Sequence, residues 1–235
     1  MLSGAAATPS GAGAAGSRGD GRGRGGSGPG DALRLVLWRH GQTTYNAEHR
    51  FQGQLDVPLN SLGRVQAERA AKHLSVLAPS AIWSSDLSRA TGTATYLARL
   101  TGLEVQLDKD LRERHGGLWE GLTIDEIRQK YPEDHAAWEP PGGESVNAVA
   151  DRTAAALGRI AERAEPGSLA VVVGHGASLT WGMSRLLGLD DRVTGGLANC
   201  CWCLLSRRNA KWRLLEYNVG ALPEPVEVAE LGDDD

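Results

Sequence analysis

No stretch of the chain approaches the ~18 continuous apolar residues of a membrane-spanning helix, and the first thirty residues hold no apolar run that could form a signal-peptide core. Neither a membrane anchor nor a secretory leader is expected. Cysteine is scarce: Cys200, Cys201 and Cys203 crowd one short segment, with no second cluster to complete a tetrahedral zinc site. The expectation is reduced thiols packed in a strand of a cytoplasmic protein, ahead of any zinc or redox role. A strong charge of one sign is also missing. The net charge of −4 argues against a general nucleic-acid or membrane-surface binder but leaves room for a local basic pocket. No internal repeat is found.

What is present fits one sizeable domain. The 235 residues are 41% hydrophobic and 23% charged, ordinary values for a globular chain. Glycine is abundant at 31, but 11 of these fall in the first 30 residues, among alanine, serine and scattered arginine. Residues 1–30 therefore read as a disordered tail, in which Arg18-Gly19-Asp20 is a chance tripeptide. A folded domain is expected over 31–222, and an acidic tail over 223–235 ends in Asp233-Asp234-Asp235.

Within the domain, apolar runs alternate with helical patterns. Leu33–Trp38, Ala81–Ser84, Leu103–Leu107 and Leu169–Val173 read as strands. Leu62, Val65, Ala70, Leu74 and Leu77 make a helical stripe opened by Ser61, and Ser85 or Asp86 is expected to cap a helix running to about Leu100. Thr123 caps a short helix to Lys130, and Pro132, Pro140, Pro141, Gly142 and Gly143 punctuate a loop. Ser145 opens a long helix, and Ala177–Leu187 forms another. Cys201–Ser206 and Trp212–Tyr217 close the chain as a strand pair turning at Arg207-Arg208-Asn209-Ala210. The alternation predicts a three-layer α/β/α sandwich: a mostly parallel sheet with an antiparallel edge and helices on both faces.

Two of these strands end in histidine, at Arg39-His40-Gly41 and Gly174-His175-Gly176. In open α/β sheets, ligands bind outside the carboxyl ends of strands. Phosphate esters are an apt target there. Their metal-free transfer needs a nucleophile, cations on the phosphoryl oxygens and an acid for the leaving alcohol. His40 suits the first role, provided its other ring nitrogen is held by an acceptor such as a backbone carbonyl of the adjacent loop. Arg39, His175 and Arg89, the last in the first turn of a helix, would cage the anion. Asn46, Gln52 and the Gly53 N–H can donate to phosphate oxygens. Taken singly, each has a bland alternative: a chance tripeptide, a core histidine, a solvated helix arginine. Their conjunction at three strand ends carries the reading.

The chain resembles the histidine phosphatase superfamily, the phosphoglycerate mutase-like family, over nearly all of Leu33 to Tyr217. The resemblance rests on Leu37-Trp38-Arg39-His40-Gly41-Gln42-Thr43 with Asn46, on Arg50-Phe51-Gln52-Gly53-Gln54-Leu55-Asp56, and on Pro58–Gly63. It continues through Ser84–Ala90, Leu111-Arg112-Glu113, Gly117–Gly121, Gly142–Ser145 and Gly174-His175-Gly176. The family implies a phosphohistidine intermediate on His40, a phosphate pocket of Arg39, Arg89 and His175, and Glu113 as proton donor, with no metal and no other cofactor. Glu120 is a rival carboxylate in the same loop. A salt bridge to Arg112 or Arg114 is the plain alternative for Glu113.

Mutase relatives usually carry glutamate where this chain has Gln42, and a long charged insertion where it has the short stretch Arg114 to Pro141. Both departures favour a phosphatase over a mutase, since a mutase must exclude water behind a lid. The Gln52–Asp56 stretch, the Trp138 loop and Trp212-Arg213-Leu214 resemble the branch that acts on glucosyl-3-phosphoglycerate. Other sugar-phosphate or cobalamin-phosphate phosphatases are alternatives, and a non-catalytic phosphate-recognition module is the alternative of another class. Trp119 and Trp138 either stack on a sugar or simply pack. The expected partner is a small phosphorylated substrate, with no nucleic acid and no membrane. A homodimer is compatible with the many dimeric relatives.

Overall fold

In a computed structural model of the chain, which describes residues 32–190 and 193–220, strand β1 (Leu33–Arg39) sends Leu35 and Leu37 to one face of a sheet and Val36 and Trp38 to the other. All four are fully buried. A run that is apolar at every position is what a strand covered on both faces requires. β4 (Leu169–Gly174) is buried along its whole length and lies parallel beside β1. The six-stranded sheet has the order β3-β2-β4-β1-β5-β6. β2 (Ala81–Ser84), β3 (Val105–Leu107), β4 and β1 are parallel, while β5 (Trp202–Arg208) and β6 (Lys211–Val219) finish one side antiparallel.

Helices α2 (Ser61–Val76) and α3 (Ser88–Thr101) cover the face carrying Val36, Trp38, Ile82 and Val171. Helices α6 (Val146–Arg163) and α7 (Gly176–Leu187) cover the face carrying Leu35, Leu37, Trp83 and Val172. The result is the three-layer α/β/α sandwich that the β–α alternation predicts. Short helices α1 (Thr44–Ala47), α4 (Ile124–Lys130) and α5 (Pro132–Ala137) lie in the connections that leave the carboxyl ends of β1 and β3. Thr123 and Ser145 cap α4 and α6 as expected, Thr123 through a reciprocal box with Glu126. The expected tails, 1–30 and 223–235, lie outside the described residues.

Several local expectations are corrected. The N-cap of α2 is Asn60, whose Oδ1 accepts from Gly63 N at 2.8 Å, and Ser61 is the first helical residue. The buried stripe of α2 is Gly63, Ala67, Ala70, Ala71 and Leu74, while Leu62 and Val65 are each 41% exposed. Small residues turn inward because the backbones meet: a Cβ on Gly63 would lie 2.0 Å from Gln42 O, and one on Gly41 2.3 Å from Gly63 O. Neither Ser85 nor Asp86 caps α3. Its N-cap is Leu87 and has no side-chain bond. Asp86 is instead held by both Arg112 Nε and Nη2 at 2.6 Å, and Ser85 faces His175. Pro132, expected in a loop, opens α5, where its missing N–H costs nothing. The β5–β6 turn is only Asn209 and Ala210, both at positive φ (50° and 59°), a two-residue geometry matched to strand twist.

Candidate active site

The parallel register sets Arg39 opposite Gly174, so the next residues on both chains, His40 and His175, leave the sheet as neighbours. His40 N donates to Gly174 O at 3.0 Å, and the two imidazole centroids lie 5.1 Å apart at 61°. Both rings are almost wholly buried. Burial, then the Arg89 guanidinium, hold both well below the ordinary histidine value, so both are neutral near pH 7.

The rings are tied differently. His40 Nδ1 lies 2.7 Å from Gly41 O, the carbonyl acceptor expected of the adjacent loop. A carbonyl only accepts, so Nδ1 carries the proton and Nε2 a free lone pair. His175 Nε2 lies 2.9 Å from Ser85 Oγ, and its Nδ1 has no partner within the protein.

Both arginines reach the same crevice. Arg89, the second residue of α3 and fully buried, spends Nη1 and Nη2 on the carbonyls of Leu55 and Gly53 at 2.8 Å each. Arg39 Nη1 donates to Leu197 O at 2.5 Å. The Nε–H of each is buried and unpaired, like His175 Nδ1. An unpaired buried donor costs about 1–3 kcal/mol, and two guanidinium N–H groups left so beside the unpartnered His175 Nδ1 describe a receptor for an anion rather than a finished core. Burial lowers Arg89 to about 10, which still leaves it charged at neutral pH. Burial likewise lowers Arg39, against the pull of Glu113.

The loop after β1 supplies the expected amides. Asn46 Oδ1 accepts from Thr43 N and Thr43 Oγ1, both at 3.1 Å, and from Asn199 Nδ2 at 3.2 Å, which turns its amide nitrogen the other way. Gln52 Oε1 accepts from Thr43 Oγ1 at 2.9 Å, with the same consequence. Gly53 has φ +54°, and a Cβ there would sit 2.1 Å from Glu120 Oε1. Only glycine fits this bend, whose carbonyl anchors Arg89.

Glu113 lines a cavity of about 200 Å³ together with Arg39, His40, Asn46, Gln52, Gly53 and Arg89. Its carboxylate accepts from Arg114 N (2.8 Å), and from Ser178 N (3.0 Å) and Ala177 N (3.1 Å) at the start of α7. Arg152 of α6 fixes the segment from behind: it donates to the carbonyls of Asp110, Arg112 and Glu113 and grips both oxygens of Glu144 at 2.8 Å. The Gly142–Ser145 motif thus acts as a brace. Glu120 has a different task. Its Oε1 accepts from Gln54 N and Gly116 N at 2.9 Å, stapling two loops together. Arg112 pairs with Asp86 and not with Glu113. Gln42 bonds Asn60 Nδ2 at 2.9 Å.

A second cavity of about 340 Å³ adjoins the first and shares Arg39, Glu113, Ala177 and Trp181 with it. Of the two tryptophans considered for sugar stacking, Trp119 is fully buried against Phe51 and Trp138 and cannot serve. Trp138 lines the cavity and is 38% exposed. Cys200 and Cys203 are buried, and burial pushes their thiols up to about 12 and about 11, so none of the thiolate needed for metal or redox chemistry is favoured.

The sequence matches the model of the histidine phosphatase superfamily (branch 1) over residues 35–220. The chain belongs to that superfamily. It is 39% identical over 214 residues to the glucosyl-3-phosphoglycerate phosphatase of Mycobacterium tuberculosis, covering 81% of this chain and 96% of that one. It is 37% identical over 192 residues to a metal-independent phosphoserine phosphatase of Arabidopsis thaliana, covering 77% and 79%. Among solved structures, a mycobacterial glucosyl-3-phosphoglycerate phosphatase complexed with VO3 superposes with a TM-score of 0.74 at 40% identity, covering 80% of this chain and 99% of that one. This histidine phosphatase is therefore a phosphoric monoester hydrolase. Among the described residues no helix is long and apolar enough to cross a membrane.

Sequence reasoning missed Ser85 as the partner of His175, Asn199 as the anchor of Asn46, and Arg114 and Trp181 in the cavity wall. None carries a spacing signal of its own. Ser85 sits in the quoted Ser84–Ala90 motif, and that was the one available pointer.

Proposed function

We propose that hydrolysis runs through a phosphohistidine on His40 and that the physiological ester is glucosyl-3-phosphoglycerate. The opposite tethering of the two histidines carries the first part: only His40 Nε2 combines a free lone pair with a setting of unpaired cationic and neutral N–H donors. In the first half-reaction His40 Nε2 attacks phosphorus and the P–O bond to the alcohol breaks. Arg39, Arg89 and His175 Nδ1 neutralise charge on the equatorial oxygens, with the Asn46 and Gln52 amides and the Gly53 backbone beside them. Glu113 gives its proton to the departing alkoxide. In the second half-reaction a water attacks phosphorus, Glu113 takes back a proton, the P–N bond breaks and inorganic phosphate leaves. No step calls for a metal.

Similarity to the mycobacterial phosphatase supports the substrate, and the adjoining cavity beyond Trp181 offers space for a sugar. A cytoplasmic location suits the three unpaired thiols. The test is a rapid quench with ³²P-labelled glucosyl-3-phosphoglycerate. Acid-labile, base-stable label should appear on the His40 peptide and be absent in His40→Ala, with inorganic phosphate as product. Label on another residue, or interconversion of 2- and 3-phosphoglycerate without phosphate release, would contradict the scheme.

A further inference from the structure

Two cations of the cavity wall, Arg50 and Arg114, have no task in the scheme above, and only Arg114 has a nitrogen left buried and unpartnered. It is 1% exposed although it belongs to a loop. Its Nε donates to Glu144 O at 2.7 Å and its Nη2 to Trp138 O at 3.0 Å, so two edges of the guanidinium are fixed by the backbone. Its plane is further held over the Trp181 ring, 5.7 Å from the centroid. Nη1 is buried and has no partner within the protein. Arg114 lines the same cavity as His40 and Arg89 and follows Glu113 in sequence. Of Arg114, the Glu113 carboxylate takes only the backbone N–H, so the guanidinium is not consumed by the neighbouring acid.

A rigid guanidinium with one donor group left over is suited to a singly charged oxygen acid. A second phosphate dianion would call for a cluster like the one already around His40. We infer that Arg114 selects esters whose alcohol carries a carboxylate, binding that carboxylate through Nη1 while the phosphate rests against His40. This rests on the phosphatase reading above and adds to it a chemical class: phosphorylated hydroxy acids, sugar-linked or free. Arg50, the other cation of the wall, is drawn off by Glu48 and Glu126 and by the Gly121 carbonyl.

The test measures kcat/KM for 3-phosphoglycerate against glycerol 3-phosphate, and for phosphoserine against phosphoethanolamine, pairs that differ at the carboxylate. The wild-type enzyme should favour the acid of each pair by about 10- to 100-fold, the range of a charge-assisted hydrogen bond. In Arg114→Gln that ratio should collapse toward one, and Arg114→Lys, which keeps the charge but not the fork, should restore part of it. A ratio is insensitive to general damage to the fold. A wild-type ratio near one sinks the idea before any variant is made, and so does an unchanged ratio in Arg114→Gln. Turnover of p-nitrophenyl phosphate by the wild type, lost in His40→Ala, is read separately and reports on the phosphatase scheme alone.

Discussion

His40 and His175 stand at the ends of adjacent parallel strands, follow the same kind of apolar run, and are buried among the same arginines. What separates them is which ring nitrogen is tied. Gly41 O fixes the proton of His40 on Nδ1 and leaves Nε2 with a free lone pair, the nitrogen proposed above to attack phosphorus. Ser85 Oγ ties the opposite nitrogen of His175, Nε2, and leaves Nδ1 unpartnered, a donor when the Ser85 proton is given to Nε2. Two identical side chains 5.1 Å apart thus acquire opposite chemistry from a single hydrogen bond each.

That contrast can be broken in order of effect. Removing the nucleophile should cost most: His40→Ala is expected to lower kcat on p-nitrophenyl phosphate by at least about 10⁴-fold. His175→Ala removes only a charge-stabilising donor, and about 10²- to 10³-fold is expected. Equal losses in the two variants would show that the tethering does not assign the roles. A smaller effect comes from Ser85→Ala, which leaves both histidines in place but frees the His175 tautomer. A loss of about 10-fold in kcat, with KM little changed, should accompany a shift of the ¹⁵N resonances of His175 toward mixed protonation. Unmoved resonances would show that Ser85 only packs.

The smallest effect is on stability. Both folded-state histidine values lie below the unfolded value of about 6.5. Their contribution is therefore fully present above about pH 6.5 and is lost as pH falls from there toward the folded values. Tm should drop by a few degrees between pH 7 and pH 5.5, and less in His40→Asn/His175→Asn. Asp86, whose value is lowered chiefly by its Arg112 hydrogen bond, gives up its share only under more acid conditions, so the two effects separate by pH. A Tm that holds steady down to pH 5.5 in the wild type would show that the rings are not kept neutral.

Strands and helices with strong apolar patterns were legible, because a buried strand must be apolar throughout and a helix needs a cap and a stripe. In α2 the expected stripe was right at Ala70 and Leu74, which are buried, and wrong at Leu62, Val65 and Leu77, which are exposed. Apolar size suggested Leu62 and Val65, whereas contact with the Gly41 loop demanded alanine and glycine. The cap of α3 was misplaced because Ser85 and Asp86 bond to residues distant in sequence, His175 and Arg112. Local propensity has no knowledge of such partners.

The sequence by itself determined the elements, the family and the residue types available to phosphate chemistry. These follow from periodicity and motif, which are properties of neighbours along the chain. Only the tertiary structure decided which nitrogen of each histidine is free, that Glu113 and not Glu120 faces the cavity, and that Arg114 joins its wall. Those outcomes depend on a parallel register and on hydrogen bonds between distant positions, such as Ser85 to His175, 90 apart, and Arg39 to Leu197, 158 apart, and are set when the layers pack.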